Sequence, residues 1–343
     1  MKAVALKAYL PISNPESLLD VALDAPTPVG RELLIAVAAV SVNPVDTKVR
    51  APKDKIESAY RVLGWDAVGT VVATGPDASL FKTGDQVFYA GSIAKPGSNS
   101  ELQTVDERIV GRKPESLSNA QAAALPLTAI TAWEGLFDRL QIPQNKDKKI
   151  TNEKNKTLLI IGGAGGVGSI AIQLAKQLAD VTVIATASRS ESIEWCKSLG
   201  ADLVIDHRDS MVEQLRAHNI QHVDYIFCLN NTDQHWQAMA ELIKPQGHIC
   251  SIVELSGAVD LNALKNKSVS FTWELMFTRS LFETEDMIEQ HHLLNRIAEL
   301  VDAGAIKTTL NKTLSPINAE NLRSAHAQLE SGSTVGKVVL EGW

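Results

Sequence analysis

The segment from Leu158 to Ser169 has the glycine spacing of a phosphate-binding turn. The pattern G-x-G-x-x-G, at Gly163, Gly165 and Gly168, directly follows an apolar run and directly precedes a helical pattern. Small residues let a backbone approach a pyrophosphate closely, and the N-terminus of the next helix attracts the anion. The segment therefore predicts a dinucleotide site; the alternative is a tight strand–helix turn without a ligand. The predicted contacts of this loop are Gly163, Ala164, Gly165, Gly166, Val167 and Gly168.

The next predicted strand ends in Ala-Thr-Ala-Ser188-Arg189, and this end indicates which dinucleotide binds. Proteins specific for NAD place an Asp or Glu about 20 residues after the glycines, where it accepts from the ribose 2′-OH. The sequence has no carboxylate at this strand end; Ser188 and Arg189 instead supply a hydroxyl and a guanidinium that suit a 2′-phosphate. The pattern favours NADPH. Glu191 nearby leaves NADH open, and a surface turn capped by Arg189 is the alternative.

The elements that position these residues fall into two parts. Up to about residue 125, short apolar runs such as Glu32–Val40 are separated by turn signals, which predicts a small β-rich barrel or sandwich. After a polar stretch from Gln144 to Lys156, predicted as an exposed loop, strands and helices alternate as in a parallel, doubly wound α/β sheet. Glu283–Ala303 predicts an amphipathic helix that Gly304 ends, and Gly336–Leu340 predicts a last strand that returns to the first part.

Composition narrows the class of protein. The chain has 343 residues, 45% of them hydrophobic, and a formal net charge of −7, so it is long enough for two buried cores. The acidic balance argues against a nucleic-acid or anionic-membrane partner, and no apolar run reaches the roughly 18 residues of a membrane span. The N-terminus lacks the pattern of a signal peptide, and Cys196, Cys228 and Cys250 are widely spaced. We expect reduced thiols and a cytoplasmic location.

Several segments, in this order, resemble the medium-chain dehydrogenase/reductase superfamily, especially quinone oxidoreductases and the group named zinc-type alcohol dehydrogenase-like proteins. The matching segments are Ser41–Asp46, Gly64–Gly69, Lys82–Val87, Ala123–Ala129, the glycine loop and Gly336–Leu340. The resemblance implies an α/β protein with a GroES-like β-rich catalytic domain, residues 1–125 and 275–343. Residues 126–274 would form a Rossmann domain that binds NADP(H). The resemblance also implies a homodimer joined at the edges of the Rossmann sheets.

The residues at the usual metal positions of this family argue against zinc. Members that use zinc have a Cys where this chain has Asn43 and a His where it has Trp65. A catalytic zinc needs three N, S or O ligands that converge on one point. Asp46, Asp66 and one histidine of the pair His291–His292 could gather, but helix packing or exposure explains those histidines more simply. The sequence therefore predicts no metal.

Without a Lewis acid, hydride transfer to a carbon that is already electrophilic remains feasible, as in quinones and α,β-unsaturated carbonyl compounds. Resemblance to the family points to Asn43, Asp46, Tyr60 and Trp65 as the catalytic candidates. The amide of Asn43 would face the nicotinamide or the substrate oxygen, and Asp46 would orient that amide or a water molecule. Tyr60 would donate a proton or hydrogen bond, and Trp65 would floor the pocket. The alternatives are a turn residue for Asn43, a surface position for Tyr60 and core packing for Trp65.

The resemblance also implies cofactor contacts outside the glycine loop. These residues are Thr128, His207, Asn231, Val253 and Lys337. The leading hypothesis is an NADPH-dependent reductase of quinones or of carbonyl-conjugated double bonds, acting on a small-molecule substrate. The alternatives are a zinc-type alcohol or aldehyde dehydrogenase and a dinucleotide-binding sensor that has lost catalysis.

Overall fold

A computed structural model describes residues 1–144 and 156–343. The polar stretch predicted as a loop lies outside the described residues, except for its two ends, Gln144 and Lys156. The chain divides into two compact units: unit 1 comprises Met1–Ile130 and Phe277–Trp343, and unit 2 comprises Thr131–Met276. Within the described ranges, no helix has both the length and the apolar character needed to cross a membrane.

The secondary structure agrees with the two parts predicted from the sequence, one rich in strands and one in which strands and helices alternate. The strands are β1 (Lys2–Tyr9), β2 (Leu19–Ala22), β3 (Glu32–Ser41), β4 (Lys53–Val62), β5 (Ala67–Thr74), β6 (Gln86–Tyr89), β7 (Leu102–Asp106), β8 (Val110–Arg112), β9 (Lys156–Ile161), β10 (Val181–Thr186), β11 (Leu203–Ile205), β12 (Val223–Cys228), β13 (Ile243–Ser251), β14 (Ser270–Trp273), β15 (Leu310–Leu314) and β16 (Lys337–Glu341). The α-helices are α1 (Pro44–Arg50), α2 (Asn119–Ala123), α3 (Pro126–Trp133), α4 (Gly166–Leu178), α5 (Ser190–Ser198), α6 (Met211–Ala217), α7 (Thr232–Leu242), α8 (Asn262–Lys265), α9 (Thr278–Phe282), α10 (Glu289–Asp302) and α11 (Ala319–Glu330).

Unit 1 contains two sheets. The larger has the strand order β15-β16-β3-β5-β6-β8, with β7 also paired to β3, and the smaller has the order β2-β1-β4. Strand β3 alternates between buried and partly exposed positions over most of its length, as a strand with one face on a core does. Its pairing with β16 is antiparallel, with Val339 opposite Ser41. The predicted return of the last strand to the first part of the chain is confirmed.

Unit 2 contains one parallel sheet in the order β11-β10-β9-β12-β13-β14. Numbered along the chain within this unit, the order is 3-2-1-4-5-6, that of the doubly wound dinucleotide-binding fold. Strand β12 is buried at every position, because helices cover both faces of such a sheet. The predicted α/β class, with a β-rich part and a Rossmann-type sheet, is confirmed.

The amphipathic helix predicted from Glu283 begins later. The structure has α10 over Glu289–Asp302, and Glu283 ends the short helix α9 in a left-handed conformation with φ +47°. Asp286 accepts hydrogen bonds from the Thr284 hydroxyl at 2.6 Å and from Arg279 Nε at 3.0 Å, which stabilises a turn before the helix. The predicted start at Glu283 is therefore wrong, whereas Gly304, at φ +72°, follows the helix end as predicted.

Candidate functional site

Four polar side chains, Asn43, Asp46, Asp66 and Lys337, form a buried cluster in unit 1, called the buried cluster below. Asn43 caps the N-terminus of α1, and Asp46 lies in the first turn of that helix. Asp66 directly precedes β5, and Lys337 begins β16. None of the four side chains is more than 3% exposed. Segments far apart in the sequence thus bring three ionisable groups and one amide together.

The ammonium group of Lys337 makes three contacts in this cluster. Its Nζ donates to the carbonyl oxygen of Val42 at 2.8 Å and to Oδ1 of Asn43. It also lies 3.2 Å from Oδ2 of Asp66. An ammonium group has three donors, so these partners occupy all of them.

The amide of Asn43 joins the charged groups. Its Nδ2 donates to Oδ2 of Asp66 at 3.2 Å, while its Oδ1 accepts from Lys337. The backbone N–H of Asn43 donates to Oδ2 of Asp46 at 2.7 Å. The second oxygen of Asp66 accepts from the backbone N–H of Leu127 at 3.2 Å. Within unit 1, the amide of Asn43 therefore connects the side chains of Lys337 and Asp66 and fixes their positions.

Burial sets the charge state of the cluster. It raises the pKa of Asp46 to about 7, against the stabilising effects of the Asn43 N–H and Lys337. It raises the pKa of Asp66 to about 6, with Lys337 opposing the shift. Burial also lowers the pKa of Lys337, which Asp66 and Asp46 oppose. At neutral pH, Asp46 therefore holds part of a proton beside the pair of Lys337 and Asp66.

The other two catalytic candidates differ in their surroundings. Trp65 is fully buried, its indole Nε1 donates to the Ser92 carbonyl at 3.1 Å, and its ring meets Phe277 edge-on at 6.1 Å. These contacts are those of a core residue, the alternative considered for Trp65. Tyr60 is 45% exposed on β4, with Nζ of Lys7 5.6 Å from its ring centroid.

The glycine loop of unit 2 links β9 to α4. Gly162 has φ +91°, a conformation that favours glycine. A Cβ on Gly168 would lie 2.5 Å from the carbonyl oxygen of Gly162, so this position packs the helix against the loop. A Cβ on Gly165 would meet only the Gly162 oxygen, at 3.6 Å. The loop is therefore open at Gly165, where it can accept a phosphate group at the N-terminus of α4.

The other cofactor candidates of unit 2 all follow strands at the carboxyl edge of the parallel sheet. Ser188 and exposed Arg189 follow β10, and Asn231, at φ +45°, precedes α7 after β12. His207 follows β11; its Nδ1 is buried without a hydrogen-bond partner among the described residues, and burial lowers its pKa. The carbonyl of Val253, after β13, accepts from Thr232 at 2.6 Å. In doubly wound folds, ligands bind at this edge.

The remaining two cofactor candidates lie in unit 1. Thr128 is buried on α3, and its hydroxyl donates to the carbonyl of Leu125 at 3.0 Å. Lys337 belongs to the buried cluster. Their contacts with a cofactor stay predictions.

Sequence reasoning missed two residues of these regions. The predicted loop contacts do not include Gly162, although the consecutive glycines Gly162-Gly163 indicate a position for a positive φ. Arg208 follows β11, and its Nη2 donates to the carbonyl of Ser188 at 2.6 Å. Its place beside the end of β10 depends on the pairing of β10 with β11, which the sequence does not reveal.

Unit 2 also contains a buried acid pair outside these regions. Nε of Arg139 lies 2.8 Å from Oε2 of Glu274, and its Nη2 lies 3.8 Å from Oε2 of Glu134. Burial and the neighbouring Glu134 raise the pKa of Glu274 to about 9. One guanidinium thus faces two carboxyl groups, of which one keeps its proton at neutral pH.

The donor set does not fit a zinc ion. Within residues 1–144 and 156–343, no three His, Cys, Asp or Glu side chains converge as ligands. The two carboxyl groups nearest the usual metal positions share the Lys337 ammonium instead. His291 bonds to the carbonyl of Val110 at 2.6 Å and to Asn295 at 2.9 Å, so it does not join Asp46 and Asp66.

Comparison with known proteins agrees with this architecture. The model of the alcohol dehydrogenase GroES-like domain matches residues 30–115, and that of zinc-binding dehydrogenases matches residues 199–340. A zinc-type alcohol dehydrogenase-like protein of Staphylococcus aureus is 48% identical over 315 residues, 92% of each chain. The chain belongs to the medium-chain dehydrogenase/reductase superfamily and is an oxidoreductase of that family.

Other relatives differ in the activities they are named for. A Rhizobium etli protein described as a zinc-dependent alcohol dehydrogenase is 52% identical, with a TM-score of 0.94 over 100% of this chain and 98% of that one. Escherichia coli quinone oxidoreductase, solved with NADPH, is 25% identical, with a TM-score of 0.81 over 99% and 100%. The 2-methylene-furan-3-one reductase of Solanum lycopersicum is 31% identical over 90% of this chain and 71% of its own.

The ion pair of the buried cluster predicts a specific stability pattern. Lys337→Met leaves the carboxylate of Asp66 buried without a counter-charge, so we expect the free energy of unfolding at pH 8 to fall by about 3–5 kcal/mol. Denaturant unfolding followed by circular dichroism measures the loss. The double variant Lys337→Met/Asp66→Asn removes the stranded charge and should recover much of it. Equal losses in the single and double variants would contradict the pairing.

The raised pKa of Asp46 predicts a pH dependence. Between about pH 4 and 7 the folded state keeps a proton on Asp46 that the unfolded state releases, since the ordinary pKa is 3.8 and the folded one about 7. The contribution of this group to the free energy of unfolding therefore falls as pH rises through that window. Asp46→Asn lacks this term, so wild type should lose a few kcal/mol relative to the variant between pH 4.5 and 7.5. Parallel pH profiles from denaturant unfolding would refute the assignment.

Proposed function

We propose that this protein is a zinc-independent, NADPH-dependent oxidoreductase that transfers hydride to a quinone or an α,β-unsaturated carbonyl compound. The observation that carries the proposal is the buried cluster. Its ammonium group supplies a cation beside Asp66 and Asn43, and Asn43 is one of the two residues at the metal positions of zinc-using relatives.

The acceptor class follows from this cluster. Oxidation of a simple alcohol benefits from a metal that lowers the pKa of the hydroxyl and holds the alkoxide. A conjugated acceptor needs no such group, because the added negative charge spreads onto its own oxygen. The names of the E. coli quinone oxidoreductase and the tomato 2-methylene-furan-3-one reductase support the same class.

The cofactor proposal rests on the carboxyl edge of the unit 2 sheet. Gly165 and the N-terminus of α4 would receive the pyrophosphate, and Ser188 and Arg189 would receive the 2′-phosphate. His207, Asn231 and Val253 would border the adenosine and nicotinamide halves, as in similar chains. When bound, NADPH supplies a hydride, and each acceptor then takes up one proton.

The chain's own catalytic residues would position groups and hold that proton. Asn43 acts through its contacts with Lys337 and Asp66, so we propose it as a positioning residue for the cluster. Asp46, with a pKa of about 7, would hold a proton beside it. Tyr60, exposed on β4, is the proposed hydrogen-bond donor to the substrate oxygen. Trp65 would contribute core packing.

A zinc-type alcohol dehydrogenase is the second candidate, favoured by the names of the S. aureus and R. etli relatives. Within its described residues, this chain has no group of three side chains that could hold a zinc ion, which argues against that activity.

We also propose a homodimer. Strand β14 is an edge of the unit 2 sheet, and Trp273, at its end, is 46% exposed. An exposed edge strand with a large apolar side chain is suited to pairing with a second copy. Light scattering after gel filtration would give twice the chain mass. A monomer mass at micromolar concentration would contradict this.

The cytoplasmic location stays a prediction.

The function is tested by following NADPH absorbance with a panel of quinones, enals, simple ketones and alcohols. We expect turnover with quinones or enals and none with simple ketones, because only the former delocalise the added charge. Reaction with simple ketones alone, or NADP⁺-dependent alcohol oxidation alone, would favour the alcohol dehydrogenase. NADPH binding without turnover on any acceptor would instead favour the sensor.

The 2′-phosphate contact predicts a change in cofactor preference. Arg189→Ala removes a charge-assisted hydrogen bond, so the Kd for NADPH should rise roughly tenfold while that for NADH changes little. Isothermal titration of both cofactors measures the ratio. Arg216→Ala, which removes an exposed arginine of α6 paired to Glu241, is the control and should leave both affinities unchanged. Equal losses for both cofactors would remove Arg189 from the 2′-phosphate site.

A further inference from the structure

A second guanidinium lies beside the proposed 2′-phosphate contacts. Nη2 of Arg208 donates to the carbonyl oxygen of Ser188 at 2.6 Å, across the ends of β10 and β11. This contact joins Arg208 to the residue immediately before Arg189. The two arginines, 19 positions apart in the sequence, therefore flank the same turn.

Asp206 fixes the direction of this guanidinium. Its carboxylate accepts from Nε of Arg208 at 3.1 Å and from Nη2 at 2.6 Å, and it also accepts from the backbone N–H of Arg208 at 2.9 Å. This is the bidentate geometry of a planar guanidinium on a carboxylate. The clamp removes rotational freedom from the arginine before any ligand arrives, so less entropy is lost when it binds an anion.

The clamp leaves one side of the guanidinium available. Asp206 and the Ser188 carbonyl engage Nε and Nη2, whereas Nη1 has no acceptor within hydrogen-bond distance among the described residues. The side chain of Arg208 is 63% exposed, compared with 22% for Asp206. An incoming anion therefore meets the N–H groups of Nη1 before it meets the carboxylate.

The charges around Arg208 are mixed. Arg189 and Arg208 bring two positive charges, while Asp206 binds the Arg208 guanidinium and Asp209 also interacts with it. Because these carboxylates offset the positive charge, Arg208 contributes directional hydrogen bonds more than long-range attraction. A phosphate dianion, which accepts several hydrogen bonds, fits this arrangement better than a ribose hydroxyl.

We propose that Arg208 is a specificity-determining residue that binds the 2′-phosphate of the adenine dinucleotide through Nη1, and that Asp206 is its positioning residue. This inference rests on the proposed use of NADPH and deepens it. Arg189 and Arg208 would then both bind the phosphate, each from the carboxyl end of one of two neighbouring strands.

The test uses the adenosine half of the cofactor, with binding as the readout. Isothermal titration of the full-length protein compares adenosine 2′,5′-bisphosphate with 5′-AMP, which differ only in the 2′-phosphate. For Arg208→Ala we expect the Kd for the bisphosphate to rise roughly tenfold, the loss of one charge-assisted hydrogen bond, with the 5′-AMP Kd within about twofold of wild type. Arg208→Met keeps the apolar stem and should give the same result. Arg216→Ala is the control and should change neither affinity.

The outcomes separate this inference from the function on which it rests. If wild type prefers the bisphosphate and both Arg208 variants retain that preference, the role of Arg208 is overturned while NADPH use stands. If wild type binds both nucleotides equally, the 2′-phosphate site itself is wrong. If the Arg208 variants weaken both nucleotides equally, the arginine only supports the turn, which also overturns the proposal.

Discussion

The burial of Lys337 against Asp66 is the constraint on which the site in unit 1 depends. An ammonium group removed from water is costly unless partners surround it, and here a carboxylate, a backbone carbonyl and the amide of Asn43 do so. Two of these partners, Val42 and Asn43, directly precede α1, and the third, Asp66, directly precedes β5, whereas Lys337 itself begins β16. The chain must therefore bring both of its ends together in one sheet to satisfy this single charge.

The same electrostatics underlie the proposal that this protein works without zinc. A metal ion supplies concentrated positive charge at a point where carboxylates and other donors converge. In this chain Lys337 brings a positive charge to the cluster, and burial keeps Asp46 partly protonated, so we propose that the cluster needs no further cation. The proposed site in unit 2 differs, because there the ligand would carry the charge. Glycines, a helix N-terminus and arginines at the carboxyl edge of the sheet would receive its anionic groups.

Local patterns predicted the parts of this molecule that depend on local physics. The apolar run of β9, the glycine spacing and the alternation of strands and helices predicted the dinucleotide fold, and the assignment of Ser188 and Arg189 to the 2′-phosphate stays a prediction. Contacts between residues far apart in the sequence could not be predicted from such local patterns. The resemblance to the family implies a cofactor contact for Lys337, but the sequence gives no sign of its contact with Asn43, 294 residues away. The role of Arg208 likewise depends on a strand pairing that the sequence does not reveal. The predicted helix start at Glu283 is wrong because residues 283–288 form a turn before the helix.

If the buried ammonium of Lys337 takes the place of a metal, as we propose, the enzyme works without zinc, and metal content measured together with turnover decides this. Protein from zinc-supplemented cells would be analysed by mass spectrometry of its metals and assayed with NADPH and a quinone, before and after dialysis against a chelator. We expect zinc far below one ion per chain and the same turnover in both samples. One zinc per chain, with activity lost on chelation and restored by zinc, would contradict it.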